Sequence, residues 1–550
     1  MTSRARSVVA GLAGAAAMIA AVTVASRVVG FVRWLAMANQ VGPNSLGDAY
    51  SSANTLPNVL FEVAAGGALA SAVVPLLALP LARALRRDVD RTASALLGWA
   101  LVVLVPLAVA VAVLARPLVG LFMRGATEAE LDVAATFLAV FAPQIPLYGV
   151  GLVLTGVLQA HRRFLAPALA PLLNSLVVIG VFMAFGQMVP GSKDDPSTIP
   201  TTAIALLGWG TTAGVAVMSL PLLWPVHRVG VSLRPTLRFP DGVAARARSL
   251  AMAGLGALVA QQVSVLVTLA LANRHGQDGT FPVFQYTQAV YLLPYAVLAY
   301  PLATATLPRL AEHAARKDVR RFASLASATT RTVLVVSALG AAALVAVAPA
   351  IEQVFVRVAD GDVTGMGDAL TAMAPGLLGF GLILHLSRAL YALDRGRAAV
   401  SATAAGWFVV AAVSWALVPL LTAGQRDQVA TLRGLAVASS IGMTVAGAGL
   451  LLGLVRAAGR GAVDGLARTA ATLVLGGAAG ALAGRACVLA LVEDGMASAL
   501  LGGVVGALVC VVIVLATAWV LDRSIVRALV EPPAPAVTSE GRDRDDSTVG

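Results

Sequence analysis

Residues 92–115 read TASALLGWALVVLVPLAVAVAVLA and contain no charged side chain. As an α-helix this run is about 36 Å long, which exceeds the roughly 30 Å hydrocarbon core of a bilayer. A membrane strand would be about ten residues long and would alternate apolar with polar positions. This stretch does neither. Arg83, Arg86, Arg87 and Arg91 precede it, and only Arg116 follows closely. Basic residues gather on the cytoplasmic side of spanning helices, so the run is predicted to cross from inside to outside.

Working outward, apolar runs of helical length fall near 8–41, 49–82, 92–115, 130–160, 164–189, 201–226, 246–273, 283–308, 329–350, 370–393, 398–422, 429–455, 466–491 and 497–521. Of the 550 residues, 58% are hydrophobic and 12% charged, and the mean hydropathy is +0.85. An average soluble domain is about a quarter charged, so this charge cannot furnish a soluble shell. The prediction is an all-α integral membrane protein with about fourteen transmembrane helices.

With the N-terminus inside, the cytoplasmic loops carry the clusters Arg83 to Arg91, Arg162 and Arg163, Arg228 to Arg248, Arg309 to Arg321, Arg395 and Arg397, Arg456 and Arg460, and Arg523 and Arg527. The opposite loops hold only Arg116, Arg124, Lys193, Arg274, Arg357 and Arg426. This alternation predicts a multi-pass protein of the cell membrane with both termini cytoplasmic. Arg4 and Arg6 before an apolar run imitate a signal peptide, with Ala25 near a cleavage-like end, but no hydrophilic mature domain follows. Residues 523–550 are polar, with prolines at 532, 533 and 535, and read as a disordered cytoplasmic tail.

The chain also repeats itself. Pro75 before Arg83–Arg91 matches Pro308 before Arg316–Arg321, Leu121–Arg124 matches Val354–Arg357, and His161–Arg163 matches Asp394–Arg397, each displaced by about 233 residues. A repeat of six spans is even-numbered, so both copies enter the membrane in the same sense. The expectation is two parallel six-helix lobes, 1–238 and 239–460, with a substrate site between them. Two further helices follow in 461–522.

The net charge of +11 is accounted for by the cytoplasmic loops, and aromatic residues are too few for nucleic-acid stacking. Neither Lys193 nor Lys317 lies in a phosphate-binding loop. No metal-ligand spacing or catalytic nucleophile motif is present, and Cys487 and Cys510 both lie in apolar runs. No enzyme, metal or cofactor is predicted.

The informative charges lie within the first two spans. In Ser26-Arg27-Val28-Val29-Gly30-Phe31-Val32-Arg33 two arginines sit inside an apolar stretch. An ionisable group at that depth costs on the order of 3 kcal/mol, so it normally faces a cavity. Ser26 and Arg33, seven residues apart, lie nearly on one helical face, and Gly30 permits a bend or a close approach. Paired guanidinium forks suit a phosphate or diphosphate. The alternative is that Arg33 snorkels to the outer interface. In the second span, Pro57 interrupts the helical ladder beside Asn58, ahead of Gly66 and Gly67. Asp48 is expected at the outer mouth. Glu62 is deeper, where it pairs with an arginine, carries a proton, or forms a structural ion pair. Arg388 is a further buried-charge candidate. Gly476, Gly480 and Gly484, spaced by four, predict close helix packing.

Together with Asp48-Ala49, Leu56-Pro57-Asn58, Gly66-Gly67-Ala68 and Val74-Pro75, the Ser26–Arg33 stretch resembles the opening of the MurJ/MviN family of lipid II flippases, within the multidrug/oligosaccharidyl-lipid/polysaccharide exporter superfamily. Gln159-Ala160-His161-Arg162-Arg163-Phe164 before Ala166-Pro167 resembles that family's fourth-to-fifth span junction. The resemblance implies movement of undecaprenyl-diphosphate-linked disaccharide-pentapeptide, lipid II, from the inner to the outer leaflet. It implies diphosphate contacts for Arg27 and Arg33, a family aspartate at Asp48, and a lipid-tail groove on the last two helices. This chain departs from well-known members at Phe61 and Ala289, where they carry arginine. In place of their acidic ion site in span seven it offers only Gln261 and Gln262, so it reads as a divergent, actinobacterial-type member.

The expected function is therefore lipid II export by alternating access, driven by a coupling ion or the membrane potential. The expected partners are lipid II, membrane lipids and cell-wall synthesis or division proteins, with substrate contacts from Ser26, Arg27, Arg33, Asp48, Asn58 and Glu62. The alternatives are a drug/cation antiporter or another lipid-linked polysaccharide exporter of the same superfamily, or a non-transporting scaffold for cell-wall enzymes.

Overall fold

The computed structural model describes residues 3–523, except 192, 254 and 494; most of the expected tail, 523–550, lies outside the described residues. The helices are α1 (Ser3–Gln40), α2 (Ser45–Phe61), α3 (Gly67–Ala82), α4 (Arg86–Val113), α5 (Ala115–Phe122), α6 (Glu128–Phe141), α7 (Gln144–Ala160), α8 (Leu165–Met188), α9 (Thr201–Ser219), α10 (Leu223–Arg228), α11 (Val243–Ala253) and α12 (Leu255–His275). They continue as α13 (Thr280–Tyr291), α14 (Tyr300–Ala315), α15 (Val319–Val358), α16 (Met366–Met373), α17 (Gly376–Ala392), α18 (Gly396–Thr422), α19 (Gln428–Ala458), α20 (Leu466–Leu491) and α21 (Met496–Leu521). No strand occurs among the described residues. In lipid only a structure that pairs its own backbone groups can span, and α-helices do this locally.

Eleven helices among the described residues are long and apolar enough to cross a membrane, and twelve if α16 and α17, bent by 49°, count as one span. The other two of the fourteen expected runs are divided. A π-helical turn at Glu62–Gly66 separates α2 from α3, and another at Tyr295–Ala299 precedes α14. Each follows an intrahelical or flanking proline, Pro57 and Pro294, which cannot donate to the helical ladder.

These interruptions repeat. The π turns are displaced by 233 residues (62 to 295). The left-handed residues Ala84 and Lys317 show the same displacement. Pro143, which opens α7, and Pro375, which opens α17, differ by 232. The sequence repeat thus recurs as the same irregularities at the same depths.

The loops gather at two ends. At one end, Arg86, His161 and Gly230 border a common pocket, and Ser232 N–H donates to Asp90 at 3.1 Å. This is the arginine-rich end. At the other, residues from the first 242 positions bind residues from the remainder. Asp360 N–H donates to the Ala38 carbonyl at 2.8 Å, Asn39 Nδ2 to the Val358 carbonyl at 2.7 Å, and Ser45 Oγ to Asp278 at 3.2 Å. Lys193 is salt-bridged to Asp360. Beneath these ties, Tyr50 packs edge-on against Phe137, Phe141 and Phe182 with centroids 5.6–5.9 Å apart.

Helices α20 and α21 pack on each other and on α15. A Cβ at Gly484 would lie 2.5 Å from the Gly506 carbonyl and 2.8 Å from Ala346 Cβ; at Gly480 it would lie 2.8 Å from the Cys510 carbonyl. The glycine spacing thus lets backbones touch, where lipid supplies no hydrophobic drive for association. Gly477, one residue along, would meet only Ala342 Cβ at 3.9 Å. Gly484→Val is expected to lower stability by about 1–3 kcal/mol through overpacking. Gly477→Ala should be neutral or stabilising, because glycine costs roughly 1 kcal/mol inside a helix. Thermal unfolding of both variants in one detergent compares them directly.

Candidate functional site

Three helical segments enclose a cleft of 440 Å³: the second half of α1, the start of α8, and the end of α13 running into the π turn. On α1, Ser26, Arg27, Gly30 and Arg33 all line it. Six residues separate the two arginines, about 9 Å along the axis, and their length lets both reach one space although they point a third of a turn apart. The Arg33 guanidinium lies over the Trp34 ring, 5.1 Å from its centroid. Its Nε is buried and has no hydrogen-bond partner. A buried unpaired donor costs about 1–3 kcal/mol, so the cleft presents a donor that an anionic group would satisfy. This geometry favours the cavity reading of Arg33 over snorkelling. Nothing lies within 4 Å of a Cβ built at Gly30, so Gly30 leaves room in the cleft; it does not serve a close helix approach.

The remaining predicted positions separate. Asp48 is buried at the tied end, where it accepts from Gly279 N–H at 2.6 Å and Phe281 N–H at 3.3 Å, holding the first turn of α13 to α2. It does not line the cleft. Asn58 is exposed on α2 and is not a wall of the cleft. Glu62 pairs with neither Arg27 nor Arg33 in the structure; its carboxylate folds over its own π turn, 2.4 Å from where a Gly66 Cβ would stand. Gly66 therefore accommodates Glu62, and Gly67 admits Leu258 of α12, whose Cδ2 would be 2.6 Å from a Cβ there. Pro57 is buried within α2. Arg388 is half-buried near the arginine-rich end of α17.

Gln261 lines a second cavity, of 250 Å³, with Thr55, Gln285 and Gln288. Gln262 is buried outside that lining. Ala289 does face the basic cleft, and Phe61 is buried against Tyr148, with ring centroids 5.5 Å apart. Among the described residues no group of three or more His, Cys, Asp or Glu could hold a metal ion. Sequence reading missed the α8 wall, Pro171 and Ser175. The signal was available: Ser175 and its neighbour Asn174 are polar in the middle of an apolar run.

A polytopic helical protein with repeated, interrupted spans around a basic cleft belongs to the class of membrane transporters. The family model described as lipid II flippase MurJ matches residues 37–519. The chain belongs to the lipid II flippase MurJ family. It is 25% identical over 427 residues to the probable lipid II flippase MurJ of Rhizobium tropici, covering 76% of each chain. It is 28% identical over 416 residues to the lipid II flippase MurJ of Burkholderia cenocepacia, covering 72% of this chain and 77% of that one. A solved structure of the lipid II flippase MurJ in an inward closed conformation superimposes with a TM-score of 0.72 at 18% identity, over 93% of this chain and all of that one. The family match begins four residues beyond Arg33, so the roles of Arg27 and Arg33 rest on the cleft itself.

Gly30→Leu is expected to fold with near-normal stability, because open space receives the side chain, while obstructing the cleft. Unchanged thermal unfolding together with lost ligand binding or transport would show both effects in one variant.

Proposed function

We propose that this protein carries undecaprenyl-diphosphate-linked peptidoglycan precursor from the inner to the outer leaflet by alternating access, with Arg27 and Arg33 on the diphosphate. The observation that carries this reading is the pair of guanidinium groups in one membrane-embedded cleft, one of them with a buried, unpaired Nε donor. Charge-assisted, bidentate bonds to phosphate oxygens would satisfy it. The cleft has no acidic wall residue, which disfavours a cationic drug as cargo.

The lobes 1–238 and 239–460 rock against each other, with 461–522 flanking the lipid tail. The arginine-rich end and both termini face the cytoplasm, as the positive-inside asymmetry requires, and the tied end is outside. Ties such as Asp360 to Ala38 and Asp48 to Gly279 then form the outer seal. Breaking them and closing the opposite end would expose the headgroup outside while the tail stays in lipid. The membrane potential or an ion gradient biases the return. Cell-wall synthesis or division proteins are the natural recipients of the product.

Depletion of the protein in cells without a redundant flippase should strand lipid II in the inner leaflet, read by its accessibility to an external enzyme. Undiminished outer-leaflet lipid II would overturn the proposal. Arg27→Ala and Arg33→Ala should each weaken diphosphate-lipid binding by about ten- to a hundredfold, the equivalent of roughly 1.5–3 kcal/mol for a hydrogen bond to a charged group. Arg33→Lys should recover only part, because an ammonium lacks the planar fork. Full transport by both alanine variants would remove their assigned role.

A further inference from the structure

The tied end carries a second cavity that export does not use. It is an apolar groove of 520 Å³ between α5 on one side and α12 and α18 on the other. Leu121 and Phe122 come from α5, Val263 and Leu266 from α12, and Trp415 from α18. Trp415 and Val263 are exposed although large and apolar, as expected of surface that meets lipid. At the mouth stand Arg124 and Arg274.

The charges of this end identify an occupant. Arg116 is salt-bridged to Glu128 and Asp132, Lys193 to Asp360, and Arg426 to Asp278 at 2.7 Å. Arg124 and Arg274 are exposed and, among the described residues, have neither an ion pair nor a hydrogen bond. The two unneutralised cations thus cap the one apolar groove of this end that both arginines border. Its depth also fits. From Val263 to His275 along α12 is twelve residues, about 18 Å, against about 15 Å for half a hydrocarbon core. The groove is one leaflet deep, with guanidinium groups at headgroup level. A polyprenyl chain is far longer than that, whereas a phospholipid acyl chain spans one leaflet.

We propose that the groove binds an anionic phospholipid of the outer leaflet, its phosphate on Arg124 and Arg274 and one acyl chain along α12, and that this lipid clamps the outer seal. Arg124 belongs to the first half of the chain and Arg274 to the second. A phosphate shared by both joins the halves only while their outer ends are together, so bound lipid favours the sealed state by its differential affinity. The inference rests on the membrane orientation proposed above.

The test uses the full chain in nanodiscs of phosphatidylglycerol or phosphatidylcholine. Native mass spectrometry should retain phosphatidylglycerol preferentially, and Arg124→Gln with Arg274→Gln should weaken retention roughly thirtyfold, from about 1 kcal/mol per arginine at a membrane surface. Spin labels at Gly191→Cys and Gln425→Cys, in a background lacking the two native cysteines, should report a shorter, narrower outer distance in phosphatidylglycerol, and the glutamine variants should lose that response. Equal retention of both lipids, or an unchanged response in the variants, overturns the proposal. Displacement of the phosphatidylglycerol by a polyprenyl diphosphate overturns it in favour of a substrate exit groove. Liposomes with phosphatidylglycerol confined to one leaflet separate the remaining assumption: a response to the cytoplasmic leaflet alone would refute the orientation. None of these readouts depends on lipid II transport, so failure here and failure of the flippase reading are distinguishable.

Discussion

Water is absent from the hydrocarbon core, and every feature of this molecule answers to that. Backbone groups must pair within each segment, which makes the chain helical. Charge in the core costs kilocalories, which banishes nearly all of it to the loops. The few charged groups that stay, Arg27 and Arg33 foremost, are tolerated because a cleft receives them. The same constraint makes helix interruptions costly unless another element or a cavity borders them. The two π turns, 233 residues apart, occur at such places: one bears Glu62 and the other adjoins the cleft through Ala296.

With no hydrophobic drive between helices, association depends on close fit and on polar ties. Both are visible and are spatially divided. Glycines of α20 and α21 bring backbone against backbone deep in the membrane. Hydrogen bonds and ion pairs between the two halves gather at the end away from the arginine-rich loops, where Asp48 holds the start of α13. A transporter that rocks needs one end releasable, and hydrogen bonds to exposed loops release more readily than packed glycine seams. The division of labour follows from where water is.

Much of this was legible beforehand. Periodicity and charge asymmetry identify the spans, and the 233-residue echo identifies the repeat, because hydropathy and loop charge are local properties that survive in one dimension. Arg27 and Arg33 were legible as misplaced charges. Asp48 and Glu62 were equally conspicuous, yet neither lines the cleft. Asp48 satisfies two N–H groups on a helix more than two hundred residues away, and Glu62 folds over its own turn. A buried carboxylate announces a cost, and its sequence neighbours do not say which partner offsets it.

By itself, then, the sequence determined a helical membrane protein, its repeat, its charge polarity and the two cationic residues that its apolar surroundings could not explain. Only the tertiary structure decided which of the polar residues share a space: Ser175 joins Arg33, Asp48 leaves it, and Gly30 opens it. The physical reason is that burial of charge is scored against the solvent and can be read along a chain, whereas the partner of a charge is set by which helices cross. Those crossings are fixed by distant contacts, such as Gly67 against Leu258 and Gly484 against Gly506, that no local pattern encodes.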